Sequence, residues 1–404
     1  MTATSGHRVI VFLQENKTTD FYFRTLAQWG AVVAQDAKVT APPNYDQPHD
    51  RSSWVHFSMG DYPALAAQID NDTVIPFYSW LAKQFVFCDH HFGAGSNSTS
   101  GHMLATSGQT PTMKNPPFVG PHPIWDIPSI FTAAEAGGVS WAAFPDQSGY
   151  PTKFYKSLTV APGSANVHPP KDFIPMAKAG TLPQVCYVWS PAGYDEHPPH
   201  VSDPNYVTKG QNLVWERVQA VIDGGGWADT TFILTWDDWG GYADSVPTPP
   251  IESVPDAIYP DGYAAIGGSR IPLLMFGGRV TQAIDPEWHS HAAIPKTIID
   301  LLGLPAMGVP RVDTSPSLAA HVDPSLTRPE PPAPGSTITQ PKAPDPVPSP
   351  RPPAPWPESL NQPMPALVTL DGSSLPAPTD GLVRPKPPKP PKNLGFWSQS
   401  GPRW

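Results

Sequence analysis

Five times along this chain a short run of apolar, β-forming residues stops and charged, amide, imidazole or hydroxyl side chains follow. The plainest case is residues 232–238, FILTWDD, where three apolar residues lead through Thr235 and Trp236 to Asp237 and Asp238. An apolar run without alternation reads as a strand buried on both faces. Two adjacent carboxylates at the end of such a strand repel each other and cost desolvation, so they are expected to face a cation or to share a proton. Gly240 and Gly241 then let the backbone turn sharply away from the sheet.

The other runs repeat the pattern. Residues 8–13 (RVIVFL) are followed by Glu15 and Asn16, and residues 85–88 (FVFC) by Asp89, His90 and His91. Residues 182–189 (LPQVCYVW) lead into a loop holding Asp195, Glu196, His197 and His200. Residues 271–276 (IPLLMF) precede a segment with Glu287, His289 and His291. Apolar spacing predicts helices over residues 21–28, 62–70, 77–84, 125–138, 212–222 and 292–302, and a further strand over 139–144. Helix and strand in alternation give an α/β sheet, whose ligands sit outside the carboxyl ends of the strands.

Each polar cluster has a chemistry. A carboxylate and an amide oxygen at Glu15 and Asn16 are hard ligands suited to a divalent cation, although Thr19 or Asp20 could equally mark this stretch as a helix cap. His49 follows a stiffening Pro48 in a loop. The loop GAGSNSTSGH, residues 93–102, offers Ser96, Ser98, Thr99 and Ser100 as nucleophiles once something lowers a hydroxyl's proton affinity, and its small residues let backbone approach an anion. Its spacing is not that of a dinucleotide fingerprint, and no phosphate-cradling G-x-x-x-x-G-K-[ST] occurs. For Asp195 to His200, metal ligation, phosphate contact and plain loop surface are all open. His289 and His291 precede a helix whose dipole favours neutral imidazole.

Charge limits the partners. A net charge of −10 with no basic stripe argues against nucleic acid. Cys88 and Cys186 lie inside apolar runs and are expected as buried free thiols. No run approaches the ~20 apolar residues of a membrane span, and no leader peptide is seen, which makes a cytoplasmic location the expectation unless the true start lies upstream. From Ser325 onward 23 of 80 residues are proline and apolar periodicity vanishes. The expected division is a catalytic domain over 1–324 and a disordered, Pro-rich tail over 325–404.

The order of the motifs resembles the bacterial phosphoesterases that include phospholipases C and metal-dependent acid phosphatases, of the alkaline phosphatase superfamily. That family opens with E-N-R-S-F-D-x-Y-F, and residues 15–23 read ENKTTDFYF. Asp46 to His49 resembles its D-x-x-H, Asp89 to Phe92 its D-x-x-F, and Ser98 to His102 its hydroxyl-bearing loop. Residues 196–199 are its E-H-P-P, residues 235–241 (TWDDWGG) its T-[YW]-D-[DE]-x-G-G, and His291 resembles its closing histidine.

The resemblance implies an alkaline-phosphatase-like three-layer α/β sandwich with a central, mostly parallel sheet. It implies one divalent metal ion held by Glu15, Asn16, Asp237 and Asp238, with Ser98 as nucleophile and Thr99 as its rival one position on. His49 and His197 would hold phosphate oxygens or protonate the leaving group, and His102 and His291 would contact substrate. The substrate would be a phosphorylated small molecule or a phospholipid headgroup, hydrolysed through a phosphoserine or phosphothreonine. The replacement of R-S-F by Lys17-Thr18-Thr19 favours an alternative, an inactive binding protein on this fold that works through its Pro-rich tail.

Overall fold

A computed structural model describes residues 6–58, 63–117, 120–199, 203–248, 253–254, 263–264 and 267–351. Seven strands form the central sheet: β1 (Arg8–Gln14), β2 (Val86–Phe92), β3 (Trp141–Phe144), β4 (Val185–Trp189), β5 (Thr230–Trp236), β6 (Leu273–Gly277) and β7 (Ala283–Ser290). Their order across the sheet is β7-β2-β6-β5-β1-β4-β3, and only β6 runs antiparallel to its neighbours. β1 lies at the centre of the parallel half, with Val9 to Leu13 paired to residues 185–189 on one side and 231–235 on the other. The shared register carries β1 and β5 to a common end, so Glu15-Asn16 and Asp237-Asp238 emerge side by side.

The helices fall into two sets whose members pack on one another. α1 (Pro76–Gln84), α4 (Phe173–Lys178) and α5 (Tyr206–Asp223) make one layer. α2 (Ser98–Ser107), α3 (Ile130–Ala136) and α6 (Ala293–Leu302) make the other. The result is a three-layer α/β sandwich whose buried strands supply one continuous core. Cys88 and Cys186 are free and buried in it.

Several expected elements differ. No helix occupies the described part of residues 62–70; Ala67–Gln68 pairs as a short parallel strand with Lys38–Val39. Residues 125–138 begin as extended chain, because Ser129 caps the helix and starts it only at Ile130. Residues 21–28 make one helical turn, Thr19–Tyr22, and then a 3-10 turn, Arg24–Trp29. β2 runs on through Asp89, His90 and His91, and the segment holding His289 is itself an edge strand, bulged around Pro286, whose missing N–H cannot join a ladder.

The first part of the expected tail is described too. Residues 325–351 carry no helix or strand but lie against the body, held through their carbonyls and side chains. Trp227 Nε1 donates to Arg328 O at 3.0 Å and Trp215 Nε1 to Pro332 O at 2.5 Å. Arg328 in turn donates to Gln84 O, and Gln340 Nε2 to Pro76 O at 2.8 Å. The rest of the expected tail, 352–404, and His200 lie outside the described residues.

Candidate active site

Asp237 and Asp238 leave β5 fully buried. Asp237 Oδ1 accepts the backbone N–H of Asn16 at 2.8 Å and that of Asp238 at 2.7 Å; Asp238 Oδ1 accepts from Gly240 N at 2.8 Å. The second oxygen of each carboxylate is buried with no partner. Such orphaned oxygens are costly unless a cation satisfies them. Gly240, at φ +59°, is required here, because a Cβ would lie 2.5 Å from Asn16 O.

Glu15 joins this pair from β1. Burial, with Asp195 nearby, raises its carboxyl pKa to about 7; burial and Glu15 raise that of Asp237 to about 6; burial and Asp237 push Asp238 well above the ordinary range. Three carboxylates that resist ionisation, chiefly through burial, make a site for a divalent cation.

The Asn16 amide supplies the sharper test. One terminal atom lies 3.1 Å from Asp238 Oδ1 and 3.2 Å from Asp237 Oδ1, and the other lies 3.3 Å from His49 Nε2 and 3.1 Å from His197 Nε2. Both imidazoles turn Nδ1 to a carbonyl, His49 to Gln47 O at 2.6 Å and His197 to Pro198 O at 2.8 Å. Nδ1 therefore carries a proton, and in the neutral form of such a ring Nε2 presents a lone pair to the amide. Burial lowers the pKa of His197, which favours that neutral form. The amide nitrogen then belongs toward the histidines, which sets its oxygen against two carboxylates. Turning the amide over sets the oxygen against two imidazole lone pairs instead. With both rings protonated the turned amide is satisfied, donating to Asp238 and Asp237 and accepting from His49 and His197; with the rings neutral, a divalent cation shared by Asn16, Asp237 and Asp238 would satisfy it.

The nucleophile loop approaches from α2. Ser98 hydrogen-bonds to the Glu15 carboxylate and keeps a trace of exposure. Thr99 is fully buried, and its hydroxyl is 3.2 Å from the Tyr150 hydroxyl. Close approach needs Gly101, where a Cβ would meet Asp237 O at 2.2 Å.

Two expected substrate contacts are placed elsewhere. Trp189 Nε1 donates to His102 Nδ1 at 3.2 Å, which fixes the proton on Nε2; that nitrogen donates to Glu15 Oε1 at 2.9 Å. His102 in this tautomer orients Glu15 and has no lone pair for a metal or a free edge for substrate. His291 is enclosed: Nε2 donates to Asp237 O at 3.0 Å and Nδ1 accepts from His91 Nε2 at 3.2 Å.

Three residues outside the expected set hold the site. Glu196, buried, accepts from Gln14 Nε2 at 2.9 Å, Tyr22 OH at 2.7 Å, Tyr78 OH at 2.8 Å and Trp236 Nε1 at 2.9 Å. Lys17, also buried, donates to Glu196 O at 2.6 Å and Glu15 O at 3.2 Å among the rings of Tyr22, Tyr206 and Tyr242. It ties the turn bearing Glu15 to the turn bearing His197, and burial lowers its pKa to about 8. Arg270 pairs with Asp20 at 2.8 Å, Asp244 at 2.9 Å and Asp89 at 3.3 Å beside the same sheet edge. In the sequence only the fixed ends of the E-N…D motif and the E of E-H-P-P marked any of these positions.

A model of the phosphoesterase family matches residues 46–305, well over half of the chain. The chain belongs to the phosphoesterase family. Among curated relatives, non-specific phospholipase C5 of Arabidopsis thaliana is 31% identical over 256 residues, 55% of this chain and 46% of that one. Non-specific phospholipase C4 of the same plant is 31% identical over 258 residues, 55% and 45%. The matched region thus spans about half the length of these relatives. Similar solved structures include a protein in the alkaline phosphatase superfamily from Vibrio parahaemolyticus, with TM-score 0.39, 15% identity and coverage of 74% and 67%. Another is murine ectonucleotide pyrophosphatase/phosphodiesterase 5, with TM-score 0.41, 10% identity and coverage of 74% and 96%.

Proposed function

We propose that this phosphoesterase hydrolyses phosphoric esters with one divalent cation held by Glu15, Asn16, Asp237 and Asp238, and with Ser98 as nucleophile. The observation that carries the reading is the pair of buried carboxylate oxygens, one on Asp237 and one on Asp238, that no hydrogen bond satisfies, with the Asn16 amide beside them. When bound, the cation lowers the proton affinity of a hydroxyl and neutralises phosphoryl oxygens.

The chain's own groups supply the rest. Ser98 Oγ passes its proton to the Glu15 carboxylate it hydrogen-bonds and forms a bond to phosphorus as the bond to the leaving oxygen breaks. His197 or His49, protonated at Nε2, gives that proton to the leaving oxygen and becomes the base that activates water. Water, giving a proton to that imidazole, then attacks the phosphoserine; phosphate leaves from a monoester or the phosphorylated headgroup from a diester, and Ser98 takes its proton back from Glu15. His102 holds the Glu15 carboxylate in place throughout. Thr99, turned to Tyr150, is the less suitable nucleophile. The names of the plant relatives support a phospholipid diester as substrate, and the same centre also suits a soluble monoester.

The test uses purified protein with added divalent metal on nitrophenyl phosphate and on nitrophenyl phosphorylcholine. Release of nitrophenol from one of them, lost on the order of 10³-fold or more in Ser98→Ala and largely kept in Thr99→Ala, supports the proposal. Release from neither overturns it in favour of an inactive binding protein. Loss in Thr99→Ala alone moves the nucleophile one residue.

A further inference from the structure

The edge pair β2 and β7 carries a second group of ligand-type side chains, none of which serves the site above. Cys88 and Asp285 are register partners across the two strands, and His289 follows Asp285 beyond the bulge. One donor atom from each of the three lies within 4.8 Å of the other two, and all three residues are buried. Asp285 Oδ2 is 3.2 Å from His289 Nε2 and 3.0 Å from His321 Nε2, while its Oδ1 accepts from Glu287 N at 2.9 Å.

Hydrogen bonds explain part of this arrangement. Each imidazole can donate from Nε2 to the carboxylate. They leave the buried Nδ1 of His289 without a partner and give no reason for a thiol beside a buried carboxylate. The Asp285 Oδ2 distances of 3.2 and 3.0 Å are close to the ~3.3 Å between nitrogen and oxygen ligands at about 2.0–2.1 Å on a tetrahedral zinc ion, and the Cys88 sulfur lies within 4.8 Å of the Asp285 and His289 donors.

We propose that Cys88, Asp285 and His289, with His321 from the segment after α6 holding the Asp285 carboxylate, form a zinc site separate from the carboxylate cluster. Its thiol and imidazole select a borderline-soft cation, whereas Glu15, Asn16, Asp237 and Asp238 offer hard oxygen. On binding, the Cys88 thiol gives its proton to solvent and its sulfur lone pair to zinc. The ion fastens β7, an edge strand interrupted by Pro286, to β2 and to the chain at Leu318–His321. Its role is structural, remote from the reacting atoms.

Cobalt(II) separates the two centres, because only a sulfur ligand gives a near-ultraviolet thiolate-to-cobalt charge-transfer band. The full chain, purified without chelator and loaded with cobalt, is expected to show the band. Cys88→Ser should lose it together with one equivalent of zinc by mass-spectrometric metal analysis, and Cys186→Ser should keep it. A wild-type protein without the band, or a band that persists in Cys88→Ser, overturns the site. His321→Gln changes a partly exposed residue and gives a second reading should Cys88→Ser fold poorly. Zinc affinity, measured by competition with a chelating dye, should fall roughly 10-fold or more. Unchanged affinity overturns it.

Discussion

Two buried acidic clusters lie at this sheet edge, and they differ in where their positive charge comes from. Asp20, Asp89 and Asp244 surround the Arg270 guanidinium, and backbone N–H groups of Val32, Ala34, Ser245 and Val246 donate to the same three carboxylates. Glu15, Asp237 and Asp238 have no arginine, and two of their oxygens have no partner. The first cluster is closed by the chain. The second is not, and that difference is the ground for proposing it as the cation site and reacting centre: a charge supplied internally cannot be exchanged for substrate contact.

Removing Arg270 should break this contrast most severely. Arg270→Leu strands three buried carboxylates, a change expected to cost about 3–5 kcal/mol or to abolish folding, as read by thermal denaturation and soluble yield. Asp238→Asn is the opposite case. Without metal it relieves repulsion, so the midpoint of thermal unfolding should hold or rise, while hydrolysis falls on the order of 10²-fold or more. A chelator-treated Asp238→Asn protein markedly less stable than chelator-treated wild type would show that the second cluster is balanced internally after all.

The pH dependence sharpens the same comparison. Glu15 near 7 and Asp237 near 6 lie above their ordinary values, so the metal-free folded state binds more protons than the unfolded one. Their stability contribution is therefore complete below the ordinary carboxylate range and is lost as pH rises through about 6 to 7. Asp89 near 6 and Asp244 near 7 act in the same direction. Denaturation midpoints with chelator should thus fall across this window, less steeply in Asp237→Asn, and added divalent metal should flatten the wild-type profile.

Lys17→Met tests the tie between the two turns. Two carbonyls lose a buried donor, and nitrophenyl ester hydrolysis should drop about 10-fold, with partial recovery in Lys17→Arg. The smallest effect belongs to Trp215→Phe, which deletes one indole donor to Pro332 O and should cost about 1 kcal/mol in thermal denaturation.

Legibility in the sequence followed burial. β1, β4, β5 and β6 announced themselves as apolar runs because both faces are covered, and the resemblance in motif order brought Glu15, Asn16, Asp237 and Asp238 forward as a set. β2 was cut short because Asp89, His90 and His91 look like loop, yet each is buried in the strand. β7 was hidden by Pro286 and Glu287. Arg270 could not be found, since its partners lie between 26 and 250 residues away and nothing local requires them. The histidines were misassigned for a related reason: a ring's role depends on which nitrogen faces what, and His102 is set by an indole 87 residues distant.

The proline-rich segment that crosses the body has one practical consequence. Proline offers an acceptor but no donor, so at its prolines such a belt can be buckled only by N–H groups borne on the surface beneath it. Cutting the gene at codon 325 would strip Trp215 and Trp227 of their cover and leave a sticky, poorly behaved fragment, whereas a stop after codon 351 should give a well-behaved one.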